Sequence, residues 1–291
     1  MKSLRECITL AESKKVAIGH FNVSDSEGFG AVVEGAKSLG VPVIIGVSEG
    51  EREFIGLESI VSLVKIARAN GMDIYINADH TYSVEKAKAA IDAGVDSVII
   101  DKADKSFEEN VAATREIVEY AKSKGRTLVT PSQGPTLVEA ELGFIGQSSK
   151  VLDSIPDGVS LETQSKPEDV VKFIEETGVD LFAPSVGNIH GIVKSGEPKL
   201  NIELIKKIHA AAKVPLVLHG ASGNSDEDIR AAIDAGISIV HINTELRLAY
   251  KEGIIEGIKS GEVAPYKFMK EGVEEMKKVV IAKLKLFNKL G

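Results

Sequence analysis

Tryptophan is missing from this chain of 291 residues, and cysteine occurs once, as Cys7. A single thiol excludes an internal disulfide and suits a reducing, cytoplasmic setting. No apolar run reaches the roughly 18 residues that a membrane-crossing helix needs, so no membrane partner is expected. The first nineteen or so residues also lack the continuous apolar stretch of a signal peptide. Their apolar residues, Leu4, Cys7, Ile8 and Ala11, recur at helical spacing instead. Positive charge is in deficit, with 35 Lys and Arg against 43 Asp and Glu. The net charge of −8 argues against nucleic acid as the main partner. A small anionic substrate stays open, because it answers to the local field of its site. No linker or low-complexity tract interrupts the chain, so residues 1–291 read as one domain.

What is present is a regular alternation. Strands are expected at residues 17–23, 42–48, 73–79, 97–102, 137–142, 181–186, 215–219 and 239–243, with 127–130 competing for the fifth. Helices follow at 27–39, 57–70, 84–93, 107–124, 167–177, 202–212 and 226–235. The second of these carries Ile60, Val61, Val64 and Ile66, and Ser83 precedes the third as a cap. Eight strands each leading to a helix is the count of a (β/α)8 TIM barrel, here with an N-terminal helix and extra C-terminal helices. A doubly wound sheet would need a Gly-rich dinucleotide turn after an early strand, and none is present. The run Ala89-Ala90-Ile91-Asp92-Ala93-Gly94 recurs as Ala231-Ala232-Ile233-Asp234-Ala235-Gly236, four strands later, as two halves of one barrel would give. The final helix has an apolar stripe at Met269, Val273, Met276, Val280, Leu284 and Phe287, which suggests a subunit contact.

The third strand organises the rest. In Ile74-Tyr75-Ile76-Asn77-Ala78-Asp79-His80, period two puts Tyr75, Asn77 and Asp79 on one face, and His80 sits where the strand gives way to a loop. A capping Asp beside a packing His is the bland alternative. The other histidines weigh against it. His20 and His241 lie in the first and last strands, and His190 follows the sixth. His219 ends the seventh, and only His209 falls on a helix. Strand ends converge at one mouth of a barrel, so His80, His190 and His219 are candidate ligands of a catalytic Zn²⁺ with an open fourth position. Backbone N–H groups of Gly220-Ala221-Ser222-Gly223 and of Asn243-Thr244 offer an anion nest over strands seven and eight. Metal, nest and an inward Asp suggest carbonyl chemistry on a sugar phosphate.

Over nearly its whole length the chain resembles the class II, metal-dependent fructose- and tagatose-bisphosphate aldolases. The likeness is carried by Phe21-Asn22-Val23, Asp79-His80, Phe107-Glu108-Glu109-Asn110-Val111, Glu139-Ala140-Glu141-Leu142-Gly143, Gly187-Asn188-Ile189-His190-Gly191 and Leu218-His219-Gly220-Ala221-Ser222-Gly223. The resemblance implies zinc on His80, His190 and His219, with Glu141 a nearby acidic position able to take a metal. It implies Asp79 as the acid/base for the C4 hydroxyl. Asn22 and Ser48 match substrate contacts. Gly191, Gly220, Ser222 and Thr244 match phosphate contacts, with a monovalent cation such as Na⁺ or K⁺ beside them. Zinc acts in this family as a Lewis acid on the ketone of dihydroxyacetone phosphate. A small-molecule sugar phosphate as substrate and a homodimeric or homotetrameric assembly are the implied partners.

Two positions depart from the family pattern. Where its long loop carries a Glu that moves the second proton, this chain has Ser149. Residues 143–162 are long for a loop of this kind and are expected to close over substrate, bringing Asp153, Asp157 or Glu162 to the enediolate carbon. The family's Asn three residues before the phosphate-binding Thr is His241 here, which strand alternation places on the same side as Asn243. His241 is therefore a second candidate for that proton and a substrate contact. A Schiff-base aldolase using Lys102, or a barrel that binds sugar phosphate without turnover, are the competing readings.

Overall fold

Residues 2–125, 134–146, 150–156, 159–195 and 198–291 are described by a computed structural model. Their short β-rich runs form eight barrel strands: β1 (Ile18–Asn22), β2 (Val43–Val47), β3 (Ile74–Thr81), β4 (Ser97–Ile100), β5 (Leu137–Leu142), β6 (Leu181–Pro184), β7 (Leu216–Leu218) and β8 (Ile237–Ile242). All pairings are parallel, and β1 meets β8 to close the ring. Strand ends differ from expectation by about two residues at most. The rival fifth strand at 127–130 lies outside the described residues.

The helices are α1 (Leu4–Lys14), α2 (Ser26–Leu39), α3 (Glu49–Ile55), α4 (Leu57–Ala69), α5 (Val84–Ala93), α6 (Phe107–Lys124), α7 (Pro167–Thr177), α8 (Ile202–Ala212), α9 (Asp226–Ala235), α10 (Thr244–Lys259), α11 (Pro265–Phe268) and α12 (Lys270–Phe287). Ser83 caps α5 as expected, accepting from the Lys86 N–H at 3.2 Å. The repeated hexapeptide closes α5 and α9, the helices after β3 and β7. Helix α3 was not foreseen, because Glu49-Gly50-Glu51-Arg52-Glu53 shows no apolar period. In α4 the buried stripe is Ile60, Val61, Val64 and Ala67, whereas Ile66 points to solvent. A position six residues after Ile60 falls on the far side of a 3.6-residue turn.

Alternation along each strand sorts the core into two. Outward residues such as Phe21, Ile45, Ile76, Val98 and Val240 pack under the helices. Inward residues at the strand starts, Ile18, Ile44, Tyr75, Leu137, Leu181, Val217 and Ile239, form an apolar layer that α1 plugs with Leu4, Cys7, Ile8 and Ala11. The buried Tyr75 hydroxyl meets Cys7 Sγ at 3.0 Å and donates to the Lys2 carbonyl at 2.7 Å. Most of the C-terminal stripe is covered by the chain itself. Met276, Val280, Leu284 and Phe287 are buried in the chain's own core, where Val280 meets Gly35 of α2 and Phe287 stacks on Phe21 at 6.4 Å.

The long segment after β5 is tied down in its described parts. Val151–Leu152 pairs in parallel with Ile192–Val193, just beyond His190. The Ile192 N–H donates to the Lys150 carbonyl at 3.0 Å, and the Lys194 N–H to the Leu152 carbonyl at 2.8 Å.

Candidate metal centre and active site

One step up each strand from the apolar layer, the inward positions become polar. On β3 the order is Tyr75, Asn77, Asp79. Plain alternation would turn His80 outward with Ala78, but the strand does not end there as expected. It runs to Thr81 through an irregularity in its pairing with β4, and His80 takes a left-handed backbone with φ 36°. That conformation costs roughly 1–2 kcal/mol in a residue with a Cβ. It re-aims the ring so that consecutive Asp79 and His80 both face the mouth, a use to which bulges beside active sites are put.

The four candidate ligands converge. One ligand atom from each of His80, Glu141, His190 and His219 lies within 4.8 Å of the others. His80 Nδ1 sits 2.8 Å from Asp101 Oδ2, and His219 Nε2 sits 2.7 Å from Glu139 Oε1. A carboxylate on one ring nitrogen leaves the other as a lone pair, the arrangement that orients metal-bound imidazoles. Those other nitrogens, His80 Nε2 and His219 Nδ1, face each other at 3.3 Å. Two opposed lone pairs repel unless a cation or proton lies between them. His190 Nε2 and Glu141 Oε2 are buried at the same place without a hydrogen-bond partner. Three imidazoles and a carboxylate, with no thiolate, suit Zn²⁺ or a similar divalent ion.

The charges of the cluster are linked. Burial disfavours the His80 cation, but Asp79 and the bond to Asp101 outweigh it, so the imidazole is pushed up to about 10. Burial, reinforced by Asp101, pushes the Glu141 carboxyl up to about 8. Burial and the neighbouring His80 and His219 hold His190 well below its usual range.

Asp79 is poised differently. Its Oδ2 accepts from Asn22 Nδ2 at 2.9 Å, and the same amide donates to Glu51 Oε2 at 2.9 Å. Its Oδ1 is buried without a partner. Burial raises this carboxyl, but the surrounding imidazoles, His80 foremost, and the Asn22 bond lower it further, so it stays below the ordinary carboxylate range. One oxygen is thus held and one is free to take a proton.

Every expected substrate contact except Ser48 lines a cleft of about 310 Å³ above these groups. Ser48 instead precedes α3, its N–H donating to Glu51 Oε2 at 2.7 Å. Gly220 has φ +61°, and a Cβ there would lie 2.3 Å from the Ile189 carbonyl oxygen, so only glycine fits. The anion nest is narrower than expected. The Gly223 N–H donates to Glu245 Oε1 at 3.2 Å and the Asn243 N–H to Ser222 Oγ at 3.3 Å. Gly191, Gly220, Ser222 and Thr244, the last opening α10, remain on the cleft wall.

Of the loop carboxylates, Asp153 and Glu162 do not line this cleft. Asp153 is in solvent, paired with Lys194 Nζ at 2.8 Å, and Glu162 is exposed. Ser149 and Asp157 lie outside the described residues. Lys102 Nζ is held by the Tyr82 carbonyl oxygen, away from the cleft lining. Sequence reasoning missed Glu139, Asp101, Glu51 and the partnership of His20 with His241. Glu139 was within reach of it: Glu139-Ala140-Glu141 on a strand places both carboxylates inward by period two.

Residues 2–291 match the family described as fructose-bisphosphate aldolase class-II. A fructose-bisphosphate aldolase of Geobacillus stearothermophilus is 36% identical over 295 aligned residues, covering 99% of this chain and 97% of that protein. One from Staphylococcus aureus is 35% identical, covering 98% and 96%. Among solved structures, the YdjI aldolase from Escherichia coli K12 superposes with a TM-score of 0.81 at 32% identity, covering 98% and 97%. A match that runs through every barrel strand and every candidate ligand leaves one conclusion: the chain belongs to the class II fructose-bisphosphate aldolase family.

Proposed function

We propose that the chain, as one domain, is a metal-dependent ketose-bisphosphate aldolase. It would cleave fructose 1,6-bisphosphate, or its C4 epimer tagatose 1,6-bisphosphate, to dihydroxyacetone phosphate and glyceraldehyde 3-phosphate, and run the reverse condensation. The observation that carries this reading is the converging, partly unpartnered donor set of His80, Glu141, His190 and His219, directly beside a carboxylate with one free oxygen. These residues would hold Zn²⁺, which supplies a Lewis acid next to the substrate carbonyl.

The chain's own groups then divide the work. Asp79 Oδ1 takes the C4 hydroxyl proton in cleavage and returns it in condensation, while Asn22 holds the other oxygen in place. Gly191, Gly220, Ser222 and Thr244 receive the phosphate of the dihydroxyacetone half, at the N-terminus of α10. His241 from β8 and Asn243, which follows it, face the substrate. A monovalent cation beside the phosphate, a cytoplasmic location and a homodimeric or homotetrameric assembly belong to the same reading.

A Schiff-base route is disfavoured, since Lys102 points to a backbone carbonyl outside the cleft. Metal analysis coupled to a cleavage assay on both epimers is the test. One divalent ion per chain and cleavage that stops on chelation are expected; cleavage that survives chelation, with trapping by borohydride, would sink the reading.

A further inference from the structure

His20 and His241 stand on the adjacent strands β1 and β8, and His219 directly follows the next strand, β7, with the three rings in a column. His20 and His241 are paired in register, and their imidazoles are parallel with centroids 3.4 Å apart. On its other face His241 stacks on His219 at 4.0 Å and 29°. On the far side of His20 lies Gly46 of β2, where a Cβ would come 2.1 Å from His20 Cε1. No larger residue at position 46 leaves the ring where it is. His241 is therefore gripped on both faces, and its rotation is blocked.

The edge of His241 is what the cleft sees. His241 lines the cleft, whereas His20 is buried beneath it with Nε2 facing Asn77 Oδ1 at 3.3 Å. His241 Nδ1 lies 3.6 Å from Asp79 Oδ1, the carboxylate oxygen that has no partner. That gap is too long for a direct bond. A single substrate oxygen between the two atoms, however, comes within bonding reach of both. A shared ion for His20, Asp79 and His241 is a weaker explanation, although their donor atoms fall within 4.8 Å of one another. Imidazole lone pairs lie in the ring plane, and those of two parallel rings do not converge.

We propose that His20 is a positioning residue for substrate recognition. Wedged between Gly46 and His241, it holds the His241 edge toward the cleft, where His241 and Asp79 together bind the hydroxyl that Asp79 deprotonates. The inference rests on the aldolase reading above. It makes the stacked pair a reader of the C4 configuration, because an epimer with that hydroxyl on the other side loses the His241 bond while its phosphate contacts are unchanged.

The test compares kcat/KM for fructose 1,6-bisphosphate and tagatose 1,6-bisphosphate in the wild type, His241→Ala, His20→Ala and Gly46→Ala, all at equal metal content. The ratio between epimers is expected to shift by roughly 10-fold or more in His241→Ala, as when a site loses a hydrogen bond to one substrate only. It should shift in the same direction, by a smaller factor, in His20→Ala, which empties the stack beside His241, and in Gly46→Ala, which crowds it. His20→Phe, which keeps a flat ring in the stack, should hold the wild-type ratio, and it carries the test if His20→Ala does not fold. A ratio that moves in His241→Ala but not in His20→Ala and Gly46→Ala overturns the positioning role and leaves the aldolase reading standing. A ratio lost in His20→Phe overturns it too. Cleavage of neither epimer by the metal-loaded wild type overturns the aldolase reading itself, and this inference with it.

Discussion

The two ends of the barrel are built from the same strands by the same alternation, yet they are opposites in chemistry. At the lower end Ile18, Ile44, Tyr75, Leu137 and Ile239 meet the plug of α1, and the buried Tyr75 hydroxyl has partners. Two and four residues further along, the same strands present His20 and Asn22, Gly46 and Ser48, Asn77 and Asp79, Glu139 and Glu141, His241 and Asn243. There the polar groups bind one another in chains, Asp101 to His80 and Glu139 to His219, and several buried atoms are left over. Leftover buried polar atoms cost free energy in a ligand-free core and gain it back only when something binds. The lower end is thus stable as it stands, and the upper end is complete only with its ligand.

That contrast is sharpest if the metal is removed. Replacing His190 with Ala deletes a donor whose Nε2 has no other task. Metal content by atomic emission should fall well below one ion per chain, and the cleavage rate should drop by roughly 10³-fold or more, the loss of several kcal/mol of charge stabilisation. Full metal content and rate in this variant would break the comparison.

Asp79→Ala comes next. With zinc still bound, kcat for cleavage should decrease by roughly 10²–10⁴-fold, as for loss of a positioned acid/base. An unchanged kcat would make Asp79 a mere partner of Asn22.

Glu139→Gln probes the layer beneath. It weakens the bond that orients His219, so zinc affinity should fall by about 10–100-fold while the fold is kept. Competition with a chromogenic chelator reads this directly. Zinc binding should also release protons near neutral pH, since the metal-free cluster holds His80 up to about 10 and Glu141 up to about 8. Both shifts favour the protonated form near pH 7, so an entering ion has protons to displace. A calorimetric enthalpy that does not vary with the ionisation enthalpy of the buffer would contradict it.

The smallest effect on activity belongs to the lower end. Ile8→Ala should destabilise the chain by roughly 2–5 kcal/mol, the usual cost of emptying a buried aliphatic site, and lower Tm by several degrees. Its kcat and zinc content at 25 °C should match the wild type. A fall in kcat at full zinc occupancy would show that the two ends are mechanically coupled rather than merely adjacent.

Much of this was open to the sequence for a definite reason. Period two along a strand and 3.6 along a helix are properties of the backbone, so β5, α5, α6, α7 and α8 could be placed to the residue and the inward faces of β3 and β8 assigned. Helix α3 escaped because capping by Ser48 and Glu51, not an apolar stripe, starts it. The apolar stripe of the last helix suggested a subunit contact, whereas Met276, Val280, Leu284 and Phe287 are covered by the chain's own core. A stripe records that something covers it, and α2 with β1 does so here.

The sequence by itself determined the alternating elements, the barrel they close into, and the presence of Asp79, His80, His190 and His219 at strand ends. Only the tertiary structure decided that His80 turns inward with Asp79, because a bulge and a left-handed φ override the alternation that would have sent it to the helices. It alone paired His219 with Glu139 and stacked His20 between Gly46 and His241. Those contacts join residues from 26 to 221 positions apart in the numbering. Local propensity carries no information about which distant side chains the closed barrel brings within reach of each other.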